Sequence, residues 1–264
     1  MSRWIFLRGL TRESRHWGDF PARFRRELAD AEITLLDLPG NGEFNDRQSP
    51  ASVAAMAEAC RNELLARGVA PPYQLLAMSL GAMVAVAWAD KYPGELRGCV
   101  LINTSMRPFN PFWQRLQPRN YPTLLGFLLP GRSARAREEA ILRLTSRLAG
   151  IDQGVANNAT EPTRAQIVEE WTDWHLQRPV SGANTLRQLW AASRFRAPEQ
   201  KPPVPMLVLA GAADQLVDPQ CSRQLARHWQ TAFAEHPSAG HDLPLDAGAW
   251  VSAQVSDWIL WARS

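Results

Sequence analysis

The segment around Ser79 constrains the fold of this chain more than any other part of the sequence. An apolar run of strand length, residues 73–78, ends at this serine, and a second apolar run, residues 82–89, follows it. Small residues stand two positions before the serine, at Ala77, and two positions after it, at Gly81. This pattern is typical of a sharp strand-to-helix turn that lifts a serine hydroxyl clear of the backbone. Serine is also a good helix N-cap, so an ordinary helix start is the alternative interpretation.

Candidates for the partners of a serine nucleophile lie downstream. Such a serine needs a base, and the base needs a carboxylate to orient it. Residues 205–210 form an apolar run that leads into a turn with Asp214, and residues 231–235 form a shorter run that leads into a turn with His241. Both side chains follow predicted strands, at the edge of an α/β sheet where ligands bind. Their order, serine then aspartate then histidine, is the one expected after such a turn.

Other residues compete for these two roles. Asp218 is the alternative acid, although Pro219 follows it and the pair is typical of a helix start. The alternative bases are His16, His175, His228 and His236. His16 lies on the loop after the first strand and could face a substrate, but we favour a surface or loop role for it. We expect the other three at a strand end or on helices. Three further aspartates are assigned structural positions: Asp37 in its own turn, and Asp242 and Asp246 beside the last helix.

Apolar runs alternate with helical patterns along the chain, which predicts an α/β fold with a mostly parallel sheet of about six strands and helices on both faces. The predicted strands are residues 4–7, 33–36, 74–78, 98–103, 206–210 and 231–235. The predicted helices of this core are residues 17–29, 49–67, 80–91 and 247–262, and Ser49 is placed to cap the second. Residues 185–195 are expected to lead the chain back to the core.

The interval between the fourth and fifth predicted strands, residues 105–204, contains helical patterns but no convincing strand. It is too long for an unstructured loop, so it should have a structure of its own. We expect a helical lid inserted at residues 108–184, with helices at 135–148 and 163–177. The two parts of the core would then be residues 1–107 and 185–264.

With these elements placed, the chain resembles the α/β-hydrolase family over almost its whole length. Residues 37–42, with the sequence DLPGNG, are similar to the family's turn after the second strand here. Residues 211–217 resemble its acid turn, and Gly240 with His241 resembles its histidine turn. Within the family the chain looks closest to small capped carboxylesterases. The resemblance implies Ser79 as nucleophile, His241 as base and Asp214 as the orienting acid.

Two positions depart from the family pattern. Ala77 stands where the family usually has glycine, but alanine is small enough for the turn. Arg8 stands where the oxyanion loop usually begins with histidine, before Gly9. That histidine is not the base in this fold, so the departure bears on loop geometry and substrate preference. For the oxyanion we assign the backbone N–H groups of Leu10 and Leu80, the second at a helix start whose dipole favours negative charge.

The resemblance implies a serine hydrolase that cleaves a carboxylic ester or thioester through an acyl-enzyme on Ser79. The alternatives are a lyase or acyltransferase with the same triad, and a binding protein that kept only the fold. Trp17, Trp113 and Trp171 are expected to line an apolar acyl pocket under the lid, although each could instead pack in the core. Lid arginines could dock an acidic carrier protein or could form a solvated helix face: Arg132, Arg135, Arg137, Arg143 and Arg147.

Composition and motifs argue against other classes. A net charge of +3 over 264 residues does not indicate nucleic-acid binding. The turn at residues 40–42 lacks the third glycine of a dinucleotide loop, and no histidine pair has metal-ligand spacing, so we expect no cofactor and no metal. No apolar stretch reaches membrane-spanning length. Three widely spaced cysteines and a short apolar start broken by Arg8 predict a cytoplasmic protein with reduced thiols.

Overall fold

A six-stranded sheet organises the computed structural model, in which residues 2–126, 131, 133–147 and 162–263 are described. The strands are β1 (Ser2–Leu7), β2 (Ala31–Leu36), β3 (Tyr73–Met78), β4 (Leu96–Ile102), β5 (Met206–Gly211) and β6 (Ala232–His236). Neighbouring strands are all parallel, in the order β2-β1-β3-β4-β5-β6. The prediction of an α/β fold with a parallel sheet of about six strands is confirmed.

The helices follow the strands in the chain as expected. They are α1 (Phe20–Glu27), α2 (Val53–Ala66), α3 (Leu80–Lys91), α4 (Phe112–Arg115), α5 (Tyr121–Gly126), α6 (Ala134–Thr145), α7 (Arg164–Gln177), α8 (Gly182–Arg194), α9 (Gln220–Trp229) and α10 (Leu243–Arg263). The predicted start of α2 at Ser49 is wrong. Ser52 caps this helix and accepts the Ala55 N–H at 3.3 Å, whereas Ser49 is fully buried and donates its hydroxyl to the Pro39 carbonyl.

Both faces of the sheet are covered by helices. Alternating side chains of β1 point to opposite faces, so Trp4 and Phe6 belong to one apolar cluster and Ile5 and Leu7 to the other. Helices α1 and α10 bury their apolar side chains on the first face, and α2, α3 and α9 bury theirs on the second. Because α3 lies between the sheet and α2, it is apolar almost all round.

Among the described residues between β4 and β5 lie the helices α4 to α8. Within the described part of this interval there is no further strand, only one isolated bridge between Arg107 and Arg196. Helices α6 and α7 pack on each other through a separate apolar cluster that includes Leu142, Ile167 and Trp171. The division of the chain at residues 108 and 184 stays a prediction. The end of the predicted helix at residue 148 lies outside the described residues.

Candidate active site

Ser79 sits on a strained turn between β3 and α3. Its backbone has φ 54° and ψ −115°, a region that residues with side chains rarely adopt. Tight packing explains the small residues around it. A Cβ atom on Gly81 would lie 2.6 Å from the carbonyl oxygens of Leu7 and Arg8, so only glycine fits there. Ala77, two residues before Ser79 in β3, is also fully buried. Ser79 makes no side-chain capping hydrogen bond, so the turn is not an ordinary helix cap, and its role as a nucleophile stays a prediction.

His241 and Asp214 are hydrogen-bonded neighbours. His241 Nδ1 lies 2.7 Å from Asp214 Oδ2, and both side chains are buried. The other carboxylate oxygen, Oδ1, accepts the N–H groups of Leu216 at 2.8 Å and Val217 at 3.0 Å. These bonds fix the carboxylate, which in turn fixes the orientation of the imidazole ring. With Nδ1 facing the aspartate, the second ring nitrogen, Nε2, is the atom left to exchange a proton.

Asn103, at the end of β4, ties the acid turn to the histidine turn. Its Nδ2 donates to the carbonyl oxygens of Gly240 at 3.0 Å and His241 at 2.7 Å, and its Oδ1 accepts the Gly211 N–H at 2.9 Å. The residue is buried and has φ 45°, a left-handed conformation that asparagine tolerates better than most residues. Sequence reasoning missed it, although an asparagine directly after a buried strand was the available signal.

The competing acid and bases occupy other places. Asp218 accepts the Gln220 N–H at 2.9 Å at the beginning of α9, and His236 Nδ1 accepts the Ala239 N–H at 3.0 Å. His16 is buried against the rings of Trp171 and Trp174. Burial, followed by the positive charges of Arg12 and Arg8, lowers the pKa of His16 well below its usual value. None of the four alternative histidines lines the cavity at Ser79.

A cavity of about 330 Å³ opens at Ser79. Ser79, His241 and Leu10 all line it, so the core contributes its predicted nucleophile, base and oxyanion loop to one space. Aliphatic side chains from the inserted helices and the acid turn are the largest group in the remaining lining: Leu116, Leu124, Leu125, Ile141, Leu144, Leu189 and Leu216. The site therefore combines polar groups with an apolar wall, as small-molecule sites usually do.

The predicted oxyanion donors lie beside this serine. A Cβ atom on Gly9 would lie 3.0 Å from Ser79 Cβ, so the loop passes directly over the nucleophile. Leu80 is the first residue of α3, where a backbone N–H has no acceptor within its own helix. Leu10 follows Gly9 and lines the cavity. These positions support Leu10 and Leu80 as donors, and their role stays a prediction.

The three tryptophans expected in the acyl pocket lie elsewhere. The centroid of the Trp17 ring lies 5.2 Å from that of Phe6 and 5.7 Å from that of Phe20. The Arg12 guanidinium carbon lies 4.4 Å from the centroid of the Trp171 ring. Trp113 is 54% exposed. Trp17 and Trp171 line a separate groove of about 860 Å³, which includes neither Ser79 nor His241. Packing with other rings and with arginine holds the two buried tryptophans there, and leucines take the place predicted for them.

Arg8 forms a buried ion pair that the sequence did not predict. Its guanidinium donates to Asp242 Oδ1 at 3.0 Å and Oδ2 at 2.6 Å, and it lies 4.8 Å from the centre of the Trp17 ring. Asp242 directly follows His241 and also lies at the start of α10, beside which it was predicted. The departure from the family's usual histidine at position 8 was the signal that could have indicated a special role.

Two negative findings concern the described residues. They contain no group of three or more histidine, cysteine, aspartate or glutamate side chains that could hold a metal ion. Over the same ranges, every helix is too short or too polar to cross a bilayer.

Comparison with known proteins gives consistent results. The sequence matches the model of the alpha/beta hydrolase family over residues 4–254. A stretch of 93 residues is 37% identical to a pimeloyl-[acyl-carrier protein] methyl ester esterase of Chromobacterium violaceum. This match covers 35% of the chain and 34% of the relative, so the chain spans about a third of that protein's length.

Solved structures share the fold at low identity. A thermophilic esterase from Thermogutta terrifontis has a TM-score of 0.75 at 21% identity, and the match covers 100% of this chain and 91% of that one. An enol-lactonase from Burkholderia xenovorans has a TM-score of 0.77 at 15% identity, with 98% and 92% of the two chains covered.

Proposed function

Because the chain belongs to the α/β hydrolase family, we propose that it is a serine hydrolase that cleaves a carboxylic ester or thioester through Ser79, His241 and Asp214. One observation carries this proposal. The strained serine turn opens into the same apolar cavity as His241, whose Nδ1 lies 2.7 Å from the Asp214 carboxylate. The esterases among the relatives agree with this chemistry.

The proposed reaction has two stages. His241 Nε2 takes the proton of the Ser79 hydroxyl while Oγ attacks the acyl carbonyl, and the N–H groups of Leu10 and Leu80 stabilise the oxyanion. The carbon–oxygen or carbon–sulfur bond then breaks, and the alcohol or thiol leaves with the proton held by His241. Water, deprotonated by His241, attacks the acyl-enzyme and releases the carboxylic acid. The Asp214 carboxylate stabilises the imidazolium in both stages.

The cavity suits a substrate with a modest aliphatic part. At about 30 Å³ for each water-sized volume, a cavity of about 330 Å³ holds roughly ten non-hydrogen atoms. We therefore propose a short or medium acyl chain as the preferred group. The relative is named for an ester whose acyl group is attached to a carrier protein, and we propose a carrier-bound ester as one form of the substrate of this chain.

The arginines predicted to dock a carrier give mixed support. Arg143 pairs with Glu139 on its own helix at 3.3 Å, and Arg147 Nε donates to the Ala213 carbonyl at 3.1 Å. Arg137 lines the cavity at Ser79, and Arg132 lies outside the described residues. Because Arg143 and Arg147 have structural partners, the proposal concerns cleavage of the ester bond and does not depend on docking of a carrier protein.

We also propose that the protein works in the cytoplasm. Cys60, Cys99 and Cys221 are buried free cysteines, and burial raises the pKa of each thiol to about 12. Thiols held in the protonated form suit a reducing compartment.

Intact-mass spectrometry after treatment with a fluorophosphonate probe tests the function, together with p-nitrophenyl esters of increasing chain length. Labelling and turnover should both occur in the wild type and both vanish in Ser79→Ala. Circular dichroism on the variant checks that it is folded. A folded wild type that is neither labelled nor active would refute the proposal. Labelling without turnover would instead favour a lyase or acyltransferase with the same nucleophile.

A further inference from the structure

The oxyanion loop holds an unusual backbone conformation directly after Leu10. Thr11 has φ 54°, in the left-handed region that a β-branched residue rarely adopts. Such a conformation persists only where surrounding contacts hold it. The Leu10 N–H lies in the peptide between Gly9 and Leu10, one peptide before the bond that Thr11 donates, so the contacts that hold Thr11 also restrain the proposed oxyanion donor.

Two buried amide side chains form hydrogen bonds with the backbone of this loop at Thr11 and Arg12. Gln188, on α8, is fully buried and its Oε1 accepts the Thr11 N–H at 2.9 Å. Asn41, in the turn after β2, is also fully buried, and its Nδ2 donates to the Arg12 carbonyl at 2.9 Å. The two amides bond to each other, because Gln188 Nε2 donates to Asn41 Oδ1 at 2.7 Å. They therefore hold the loop as one unit.

The direction of every bond in this unit is fixed. Ser49 donates its hydroxyl to the Pro39 carbonyl at 2.6 Å, so its oxygen is the acceptor for the second bond of Gln188 Nε2, at 3.0 Å. Asn41 uses its amide nitrogen on the Arg12 carbonyl, which leaves its oxygen for Gln188. With both hydrogens of Nε2 engaged, Gln188 Oε1 can only face the Thr11 N–H. A single amide orientation satisfies all partners.

We propose that Gln188 is a positioning residue for the oxyanion hole, acting on the Leu10 N–H through the bond that it accepts from Thr11. This inference rests on the proposed function. Gln188 does not line the cavity, whereas Thr185 and Leu189 on the same helix do. Helix α8 thus lines part of the cavity and also fixes the loop that stabilises the transition state.

Gln188→Met tests the inference, because methionine has a similar length but no amide. Asn184→Leu is the matched control. Asn184 is a buried amide one turn earlier on α8, and it bonds to the Ser49 N–H at 2.9 Å and the Arg47 carbonyl at 3.0 Å, with no bond to residues 9–12. Both variants lose buried amide bonds, but only the first loses one to the oxyanion loop. If Gln188→Met does not fold, Asn41→Leu is tested instead, because it removes the hydrogen bond from Asn41 Nδ2 to the Arg12 carbonyl.

The readouts separate positioning from folding. Fluorophosphonate titration measures the concentration of protein with a reactive Ser79, and kcat is calculated from that concentration. We expect Gln188→Met to lower kcat about 10- to 100-fold with KM nearly unchanged, because a displaced donor weakens only the transition state. The Ki of a trifluoromethyl ketone, whose adduct with the serine carries the oxyanion, should rise by the same factor as kcat/KM falls. Asn184→Leu should stay within about threefold of the wild type on both measures.

Each outcome decides the question. A Gln188→Met enzyme whose kcat for each labelled site equals that of the wild type would refute the positioning role while leaving the serine hydrolase intact. An equal loss in Asn184→Leu would also refute it, since helix packing alone would then explain the effect. A folded wild type that is neither labelled nor active would refute the proposed function itself.

Discussion

Arg8 and Asp242 form a two-point ion pair inside the protein, with Nη1 3.0 Å from Oδ1 and Nη2 2.6 Å from Oδ2. Only 3% of the Arg8 side chain and 2% of the Asp242 side chain are exposed. Arg8 begins the proposed oxyanion loop and Asp242 follows His241, so the pair joins the two loops on which the proposed chemistry depends. Loss of the pair should therefore affect both folding and the site.

Asp242→Leu should lower the free energy of unfolding by about 3–5 kcal/mol, because it leaves the Arg8 charge buried without a partner. The double variant Arg8→Met with Asp242→Leu should lose much less than the sum of the two single variants. Urea denaturation of all four proteins measures this coupling. The exposed pair Arg143–Glu139 is the control, where the coupling should be about 0–1 kcal/mol. Additive losses at Arg8 and Asp242 would contradict the prediction.

Gly81→Ala should damage the serine turn. The new Cβ would lie 2.6 Å from two backbone oxygens, so the backbone of β1 or α3 must move. We expect a loss of about 1–3 kcal/mol in stability from overpacking. Displacement of Ser79 by such a movement should also lower kcat/KM about 100-fold. Gly94→Ala is the control, because a Cβ there meets no heavy atom within 4 Å. Ester turnover and thermal melting of both variants check the prediction.

The strands, helices and candidate catalytic residues could be predicted because each depends on a short, local sequence pattern. Each strand and most helix positions follow from runs of apolar residues, and Ser79, Asp214 and His241 each follow such a run at the carboxyl edge of the sheet. The contacts that support these residues join distant parts of the chain. Arg8 and Asp242 are 234 positions apart, and Thr11 and Gln188 are 177 apart. No local pattern identifies such partners, because tertiary packing alone brings them together.

The wrong helix start at Ser49 has the same cause. The sequence offers two serines, Ser49 and Ser52, and a proline at position 50 favours the first as a cap. In the structure Ser49 is buried and hydrogen-bonded to Pro39 and Asn184, and Ser52 caps α2 instead.

A similar competition between possible contacts explains why the tryptophans do not line the cavity. Trp17 and Trp171 fit an apolar pocket by composition, but neighbouring rings and arginines hold them elsewhere.

Leu189→Trp should shift the chain-length preference towards shorter esters. Leu189 lines the cavity at Ser79, and the larger indole side chain would fill part of a space that holds roughly ten non-hydrogen atoms. kcat/KM should fall more for octanoate than for acetate p-nitrophenyl esters. Leu186→Trp is the matched control, since Leu186 lies on the same helix but is 53% exposed and outside the cavity lining. Equal shifts in both variants would contradict a role of this cavity in binding the acyl chain.

His16 should make the protein less stable as the pH falls below about 6.5. Burial and then the charges of Arg12 and Arg8 lower the pKa of this histidine in the folded state, so it stays neutral there. The unfolded chain binds the proton below a pKa of about 6.5. Because the unfolded state then holds more protons, the free energy of unfolding falls by up to about 1.4 kcal/mol for each pH unit, down to the folded pKa.

His16→Gln should remove this contribution and flatten the fall in stability between pH 6.5 and about pH 5. Buried carboxyl groups act in the opposite direction, since burial raises the pKa of Asp37 and Asp246 and they gain protons on folding as the pH falls. The difference between variant and wild type isolates the histidine from them. Urea denaturation at half-unit pH intervals measures it. His175→Gln should flatten the slope less, because burial also lowers the pKa of His175 but its side chain is 23% exposed. Identical slopes for His16→Gln and the wild type would mean that His16 binds its proton equally in both states.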